Sequence, residues 1–542
     1  MTSASTTRRA LAIAAGAAAA ALALAGCTTG GSTGGGDWDG TILVGTTDKV
    51  TTLDPAGSYD NGSLTVQTQV FPYLVNTDYN STEVVPDLAE TAEFTSPTEY
   101  TVTLPAGLKW ANGHDLTSSD VKFSFDRNIA IADPNGASSL LYNLDSVETP
   151  DDTTVVFHLK TENDQIFPLI LTSFPGAIVD EEVFSADAVT PDEDIVAANA
   201  FGGPYMITSY DFNNTIQYEP NPNYAGLLPA AENKTVIQTV FADSSNLKLA
   251  VQEGDIDVAY RSLSPTDLDD LAGNSDVQVI DGPGGEIRYM VFNFDTMPFG
   301  AKTAEADPAK AQAVRQAMAA LLDRQAIADQ VYKGTYTPLF SVVPDGFFGA
   351  TQPFLDKYGD GSGGPDADQA AKILADAGIQ TPVSLSIQYN SDDHYGPSSG
   401  DEYAMVKDQL EADGLFTVDL QSTEWVQYSK DRTTDVYPIY QLGWFPDYSD
   451  ADNYLSPFFQ EDNFLGNHFS DAEVQDLIRQ QAVETDESAR QAEIEQIQDR
   501  MSDLISTLPL LQGAQVAVAG ADVNGVVLDA SFKFRYAPVV KG

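Results

Sequence analysis

The 542-residue chain carries 80 acidic against 27 basic side chains, a formal net charge of −53 at neutral pH. So acidic a surface repels nucleic acid and anionic headgroups, which makes both poor partners, and its scattered acids read as a solvated exterior. A single cysteine leaves no intrachain disulfide to form, so packing alone must hold the fold.

The first 26 residues read as a signal peptide. Arg8-Arg9 precedes a 16-residue Ala/Leu-rich run, Ala10–Ala25, which is short for a membrane span and shaped like a signal h-region. The run closes on Leu24-Ala25-Gly26-Cys27, which looks like a bacterial lipobox. The lone cysteine falls where lipid attachment requires one, so Cys27 is the expected lipidation site. The paired arginines leave ordinary secretion and twin-arginine export both open. Beyond residue 26 there remain 516 residues with 25 basic and 80 acidic side chains, a length that implies two or three domains. Residues 27–36, rich in Thr, Ser and Gly, read as a flexible tether. No later run reaches about 18 apolar residues, so the expectation is a soluble body on a lipid anchor, acting as a monomer.

Past the tether, Thr41–Gly45 reads as a strand and Leu53-Asp54-Pro55 as a turn. Alternation at 100–104 and 154–159 predicts half-buried strands, and Ser118 or Ser119 can cap a helix starting near Asp120. Residues 235–241 read as a strand, 246–253 as a helix stopped by Gly254, and 256–259 as a strand followed by Tyr260-Arg261. Arg261 follows a strand end whose burial would oblige its charge to find a partner, an aspartate or a ligand. Glu286–Phe294 is a long apolar strand. Asp307-Pro308 opens an amphipathic helix whose spacing, from Val314 through Val331, carries to Gly334. Asp366 with Gln369 resembles a capping box, 383–389 reads as a strand, and a helix over 401–413 stops at Gly414. Ser470-Asp-Ala-Glu473 reads as a capping box that opens a helical run to about Ser506, broken near Asp486, and 507–519 is a returning strand. No internal repeat appears.

One stretch stands out. Residues 437–459 hold 8 aromatics in 23 positions, and within them Gly443-Trp444-Phe445-Pro446-Asp447-Tyr448 follows an apolar, β-prone run. Gly443 leaves room for another backbone to approach, and Asp447 falls at a turn past the strand end. Such density suits a core or a binding wall.

The string from Gly443 to Leu455 resembles the signature of family 5 solute-binding proteins, the oligopeptide/dipeptide/nickel group that serves ABC importers. Thr52-Leu-Asp-Pro-Ala, Gly107–Phe123, Phe201-Gly-Gly-Pro-Tyr and Gly254–Ala259 fit the same family. The resemblance implies an α/β, two-lobed periplasmic-binding-protein-like fold (type II, three-domain variant) with a ligand cleft between lobes. It divides the chain into domain I (37–71, 200–290 and 511–542), domain II (72–199) and domain III (291–510). It implies capture of peptides, with oligopeptides foremost, for delivery to an ABC permease. Asp447 would hold the peptide's α-ammonium and the backbone of Gly443, Trp444 and Phe445 would lie along it like an added strand. Tyr59 and Asp60, in a loop that faces the ligand in the family, are further candidates, as are Arg261 and His394. Non-peptide solutes (an oligosaccharide, a nickel chelate, a signalling molecule) are the alternative. No basic residue other than His394 stands at Gln441 or in 389–395 to take a ligand carboxylate, a departure from strict dipeptide binders.

An enzyme is not expected. Gly396-Pro-Ser-Ser-Gly400 satisfies G-x-S-x-G, but the polar Asp392-Asp-His-Tyr precedes it where a nucleophile elbow needs a buried strand. A lipoprotein hydrolase is thus the disfavoured class. The four histidines lack metal-ligand spacing, Asp450/Asp452 is a weak calcium pattern, and no cofactor fingerprint exists.

Overall fold

Apolar alternation broken by turn formers folds much of the chain into strands of one eleven-stranded sheet. In chain order these are β1 (Thr41–Thr46), β2 (Tyr205–Asp211), β3 (Thr215–Pro220), β4 (Thr235–Val240), β5 (Val258–Tyr260), β6 (Val277–Phe292), β7 (Tyr336–Pro338), β8 (Val383–Asn390), β9 (Phe416–Thr423), β10 (Ile439–Trp444) and β11 (Thr507–Gly520). Their spatial order is β9-β8-β10-β6-β11-β5-β1-β4-β3-β2, with β7 also on β11. The computed structural model describes residues 38–79, 81–461, 463–528 and 533–542; the expected signal peptide, the tether and Cys27 lie outside them.

The two long strands tie the halves of the sheet together. β6 and β11 run antiparallel from Val277↔Gly520 to Val291↔Thr507. One half of this ribbon adjoins β5 and the other half carries β10. The register shifts between Gly282 and Glu286, where a Cβ on Gly284 would lie 1.4 Å from the Gly513 carbonyl oxygen. Only glycine fits so close an approach. Around one half packs a core that includes Ile42, Val44, Tyr218, Val236, Val258 and Tyr536. Around the other lie Phe292, Val314, Met318, Leu385 and Ile387, with a neighbouring aromatic core of Tyr289, Tyr440, Tyr454 and Phe458.

A separate four-stranded antiparallel sheet (Thr91–Ser96, Glu99–Thr103, Thr154–Leu159, Leu144–Asp151) packs with the helix Ser118–Ile131 over a core including Trp110, Phe125 and Phe157. Tyr448, from the aromatic stretch, is buried in that same core. The residues from Trp38 to Gly542 thereby form one compact unit. Among the described residues, no helix is long and apolar enough to cross a membrane.

Helix boundaries follow the capping chemistry, with local corrections. Thr117, rather than either serine, caps the helix at 118 and completes a capping box with Asp120. The single helix expected over 308–334 is two, Pro308–Leu321 and Arg324–Gln330. Asp323 accepts from the Ala326 amide and starts a new helix where hydrophobic periodicity alone runs on. Asp366 caps Ala367–Asp376, but the Gln369 side chain bonds the Gly359 amide and Lys357 carbonyl rather than returning to the cap. Asp471, rather than Ser470 in a capping box, caps Ala472–Gln481 by accepting from the Val474 amide, and Asp486 caps Glu487–Leu504, which breaks the last helical run at the expected place.

Candidate functional site

The aromatic stretch enters the sheet as β10, paired antiparallel with β6 so that Gly443 faces Arg288 and Trp444 faces Ile287. On its other side β8 pairs only through Ile387↔Ile439 and Gln388↔Tyr440. From Gln441 to Trp444, β10 therefore has a strand partner on one side alone. Pro446, without an N–H, cannot extend the ladder, and Asn453 fixes the turn that follows. The Asn453 Oδ1 accepts from the Trp444 indole (2.8 Å) and the Asp447 amide (3.0 Å), and its Nδ2 donates to Asp447 Oδ2 (3.4 Å). Trp444 packs edge-on against Phe458, with ring centroids 5.1 Å apart.

Asp447 sits at this turn with 9% of its surface exposed. Tyr59 donates its hydroxyl to Asp447 Oδ1 at 2.7 Å, and the Tyr59 ring packs edge-on against Phe174 at 4.8 Å. Among the described residues no lysine, arginine or histidine forms an ion pair with Asp447. Loss of solvent pushes its carboxyl up to about 6, while the hydrogen bonds from Tyr59 and Asn453 pull the other way. This is a buried carboxylate supplied with neutral donors and no cation.

Beside β10 and β6 opens a cavity of about 500 Å³ lined by, among others, Arg261, Glu286, Arg288, Tyr336, Tyr395 and Phe445. The structure thus brings three predicted residues, Arg261, His394 and Phe445, to one cavity, while Asp447, Trp444, Gly443, Tyr59 and Asp60 do not line it. The Arg261 guanidinium lies 5.1 Å from the Phe445 ring centroid and its Nε is 3.8 Å from Asp48. The His394 ring stacks on Trp425 at 3.5 Å, keeping an exposed edge; desolvation pulls its pKa down to about 4, against the opposing pull of Asp392, so the ring is neutral at pH 7.

Two predicted residues have other local duties. Asp60 caps the helix Asn61–Val70, accepting from the Ser63 amide (2.8 Å) and hydroxyl (2.9 Å), so both its oxygens are engaged by that helix end. Gly443 does admit a close approach, by the Tyr395 ring, 3.0 Å from where a Cβ would stand, and by the Ile287 backbone carbonyl of β6, 3.1 Å from it. Arg288 escaped sequence reasoning because it lies in an apolar strand; Glu286, two positions before it on the same face, was the available signal.

The motifs set aside in the sequence have definite surroundings. Strand β8 ends at Asn390 and the helix Ser399–Glu411 begins after a turn that includes Gly396, so Ser398 is not carried on a tight strand-to-helix elbow. Asp450 pairs bidentately with Arg490, and Asp452 accepts from Tyr448 and Ser456. Asp295, Asp435 and His468 do converge, which their spacing did not suggest. The Lys302 ammonium lies 2.9 Å from Asp295 and 2.7 Å from Asp435, filling the cation position there.

The fold recurs in solved structures. HbpA2 from Haemophilus parasuis is 21% identical and superposes with a TM-score of 0.78, covering 93% of this chain and 100% of its own. A dipeptide-binding protein from Pseudoalteromonas sp. SM9913 in complex with Met-Leu is 19% identical, with a TM-score of 0.72 and the same coverage. Among curated relatives, the probable D,D-dipeptide-binding periplasmic protein DdpA of Escherichia coli K12 is 25% identical over 498 residues, 90% of this chain and 91% of that one. The shared architecture is the two-lobed periplasmic-binding-protein-like α/β fold. The model for bacterial extracellular solute-binding proteins, family 5, matches residues 83–466, and the chain belongs to that family.

Proposed function

We propose that the protein captures peptides outside the membrane and delivers them to the permease subunits of an ABC importer. The observation that carries this reading is the Asp447 carboxylate, buried, held in place by Tyr59 and Asn453, and lacking a protein cation among the described residues. Burying such a group costs several kcal/mol unless a cation arrives, and a peptide α-ammonium is a cation found at one end of every unblocked peptide. A neutral sugar would leave the carboxylate unpaired. From Gln441 to Trp444 the side of β10 away from β6 carries no strand, its Gln441 carbonyl accepting from the Tyr428 hydroxyl (2.6 Å) and its Gly443 covered by the Tyr395 ring, while Phe445 beyond it lines an adjoining cavity that has the size of a small-ligand site. The names of the relatives, a dipeptide-binding protein holding Met-Leu and a probable D,D-dipeptide-binding protein, support the same substrate class.

On this reading Asp447, Tyr59, Trp444, Gly443 and Phe445 form the ammonium end of the site, and Arg261 and His394 line its continuation. Domain I is built from 37–71, 200–290 and 511–542, domain II from 72–199 and domain III from 291–510. Ligand held between the lobes favours a closed form that the permease recognises, and only a difference in affinity between open and closed forms can drive that closure. The lipobox makes Cys27 the anchor of a monomer tethered to the outer face of the cell membrane. Capture involves no chemistry. Incubation with short peptides should give saturable heat of binding and return the peptides unchanged by mass spectrometry; hydrolysis abolished by Ser398→Ala would contradict this.

A further inference from the structure

The turn that presents Asp447 is held from behind by residues far along the chain. Asp450 caps the short helix Ala451–Tyr454, accepting from the Asp452 amide at 2.8 Å, and that helix carries Asn453, whose side chain fixes Trp444 and Asp447. Arg490 grips Asp450 through both terminal nitrogens, at 3.0 and 2.7 Å. Its Nε and Nη2 also donate to the carbonyl and the side-chain oxygen of Gln481, each at 3.1 Å. Gln481 is fully buried, and its side-chain nitrogen donates to Asp452 Oδ1. Both ends of that side chain are thus engaged, one by the guanidinium and one by the carboxylate. Such a residue can hold only one place without leaving a buried polar group unpaired.

The next residue makes a different contact. The helix Ala472–Gln481 ends there, and a carbonyl at a helix C-terminus has no partner within its own helix. The Ala482 carbonyl finds one in the Gln165 amide, 2.9 Å away. Gln165 immediately precedes Ile166 and Phe167, both buried in the core of the four-stranded sheet. Ala482 packs against that core. Tyr448, the neighbour of Asp447, is buried in it and donates its hydroxyl to Asp452 Oδ2 at 3.0 Å. Gln481 and Ala482 therefore join two structures from adjacent positions, the turn of the ammonium site and the body of the four-stranded sheet.

We propose that Gln481 is a positioning residue that couples the ammonium site to the junction with the four-stranded sheet, so that a ligand ammonium on Asp447 also steadies the Ala482–Gln165 contact. The proposal rests on the peptide reading above, and the test separates the two. Calorimetry would compare trialanine with its N-acetyl form, and small-angle scattering would follow the radius of gyration with and without saturating trialanine. Both would be run on wild type and two variants. Gln481→Met keeps the length of the side chain and removes its polar atoms; Gln481→Glu keeps an acceptor for Arg490 but sets a carboxylate against Asp452. Thermal melting would check that each folds, and either variant alone suffices for the comparison.

The preference for free over acetylated peptide should narrow about 2- to 30-fold in either variant, the range for a change within a connected network. At saturating peptide the fall in radius of gyration should be smaller than in wild type. A residue that merely supports the fold would weaken both peptides alike and leave their ratio unchanged; that result overturns the proposal with the peptide reading intact. A narrowed ratio with compaction equal to that of wild type, or a wild type that does not compact, also overturns it, since Gln481 would then serve the site without the junction. If wild type binds free and acetylated trialanine equally, the ammonium reading fails and the proposal falls with it.

Discussion

Asp54 and Asp447 are both carboxylates withdrawn from water, and the protein provides for them in opposite ways. Asp54, wholly buried, receives both Arg127 terminal nitrogens at 2.8 Å, the Thr190 amide at 2.7 Å and the Ala56 amide at 3.0 Å. It caps the short helix Pro55–Gly57 and ties that turn to the helix Ser118–Ile131. Asp447 receives a phenol and an amide, and no cation among the described residues. A buried charge paired inside the protein is a fixed joint. One buried without a counter-ion is strained in the empty protein and relieved by a suitable ligand. Burial alone does not mark a binding residue; burial without internal compensation does.

Breaking the compensated site should have the larger effect on the fold. Arg127→Ala leaves Asp54 charged and buried, and should lower unfolding free energy by about 3–5 kcal/mol in urea titrations. A cost below about 1 kcal/mol would show that Asp54 is as indifferent to its partner as a surface pair.

The uncompensated site should respond with the opposite sign. Asp447→Asn removes the charge that the fold penalises. A carboxyl raised from its ordinary 3.8 to about 6 is some two pKa units, each about 1.4 kcal/mol. Allowing for a weakened Asn453 contact, the ligand-free variant should gain about 1–3 kcal/mol at pH 7. Because the folded pKa exceeds the unfolded one, the wild-type penalty is complete above about pH 6 and fades as pH falls toward 4. The advantage of the variant should fade over the same range. A variant less stable than wild type at pH 7 would mean that the Asp447 charge is already satisfied.

Much of this was legible in the chain. The strands fell where apolar alternation placed them, and Leu53-Asp54-Pro55 was recognisable as a turn because Asp before Pro favours one. Caps were displaced by a residue or two where several cap formers adjoin, as at Thr117-Ser118-Ser119. What could not be read was long-range. The bond from Tyr59 to Asp447 joins residues 388 apart in sequence. The Tyr395 ring over Gly443 comes from a polar loop with no local reason to return to the sheet. Asp60 was a candidate through the family loop it occupies, and that resemblance did not reveal that its carboxylate also caps the helix Asn61–Val70 through the Ser63 amide.

The central claim is that Asp447 awaits a peptide's α-ammonium, and a four-way calorimetric cycle tests it most directly: free and N-acetylated peptide, each against wild type and Asp447→Asn. Loss of one partner from a buried charge pair costs about 2–5 kcal/mol. At about 1.4 kcal/mol per decade, the substitution should weaken binding of free peptide about 30- to 3000-fold. Acetylation should weaken wild-type binding comparably and add little in the variant, since both changes remove the same pair. Equal binding of free and acetylated peptide by the wild type would contradict the claim and leave Asp447 a residue of the turn.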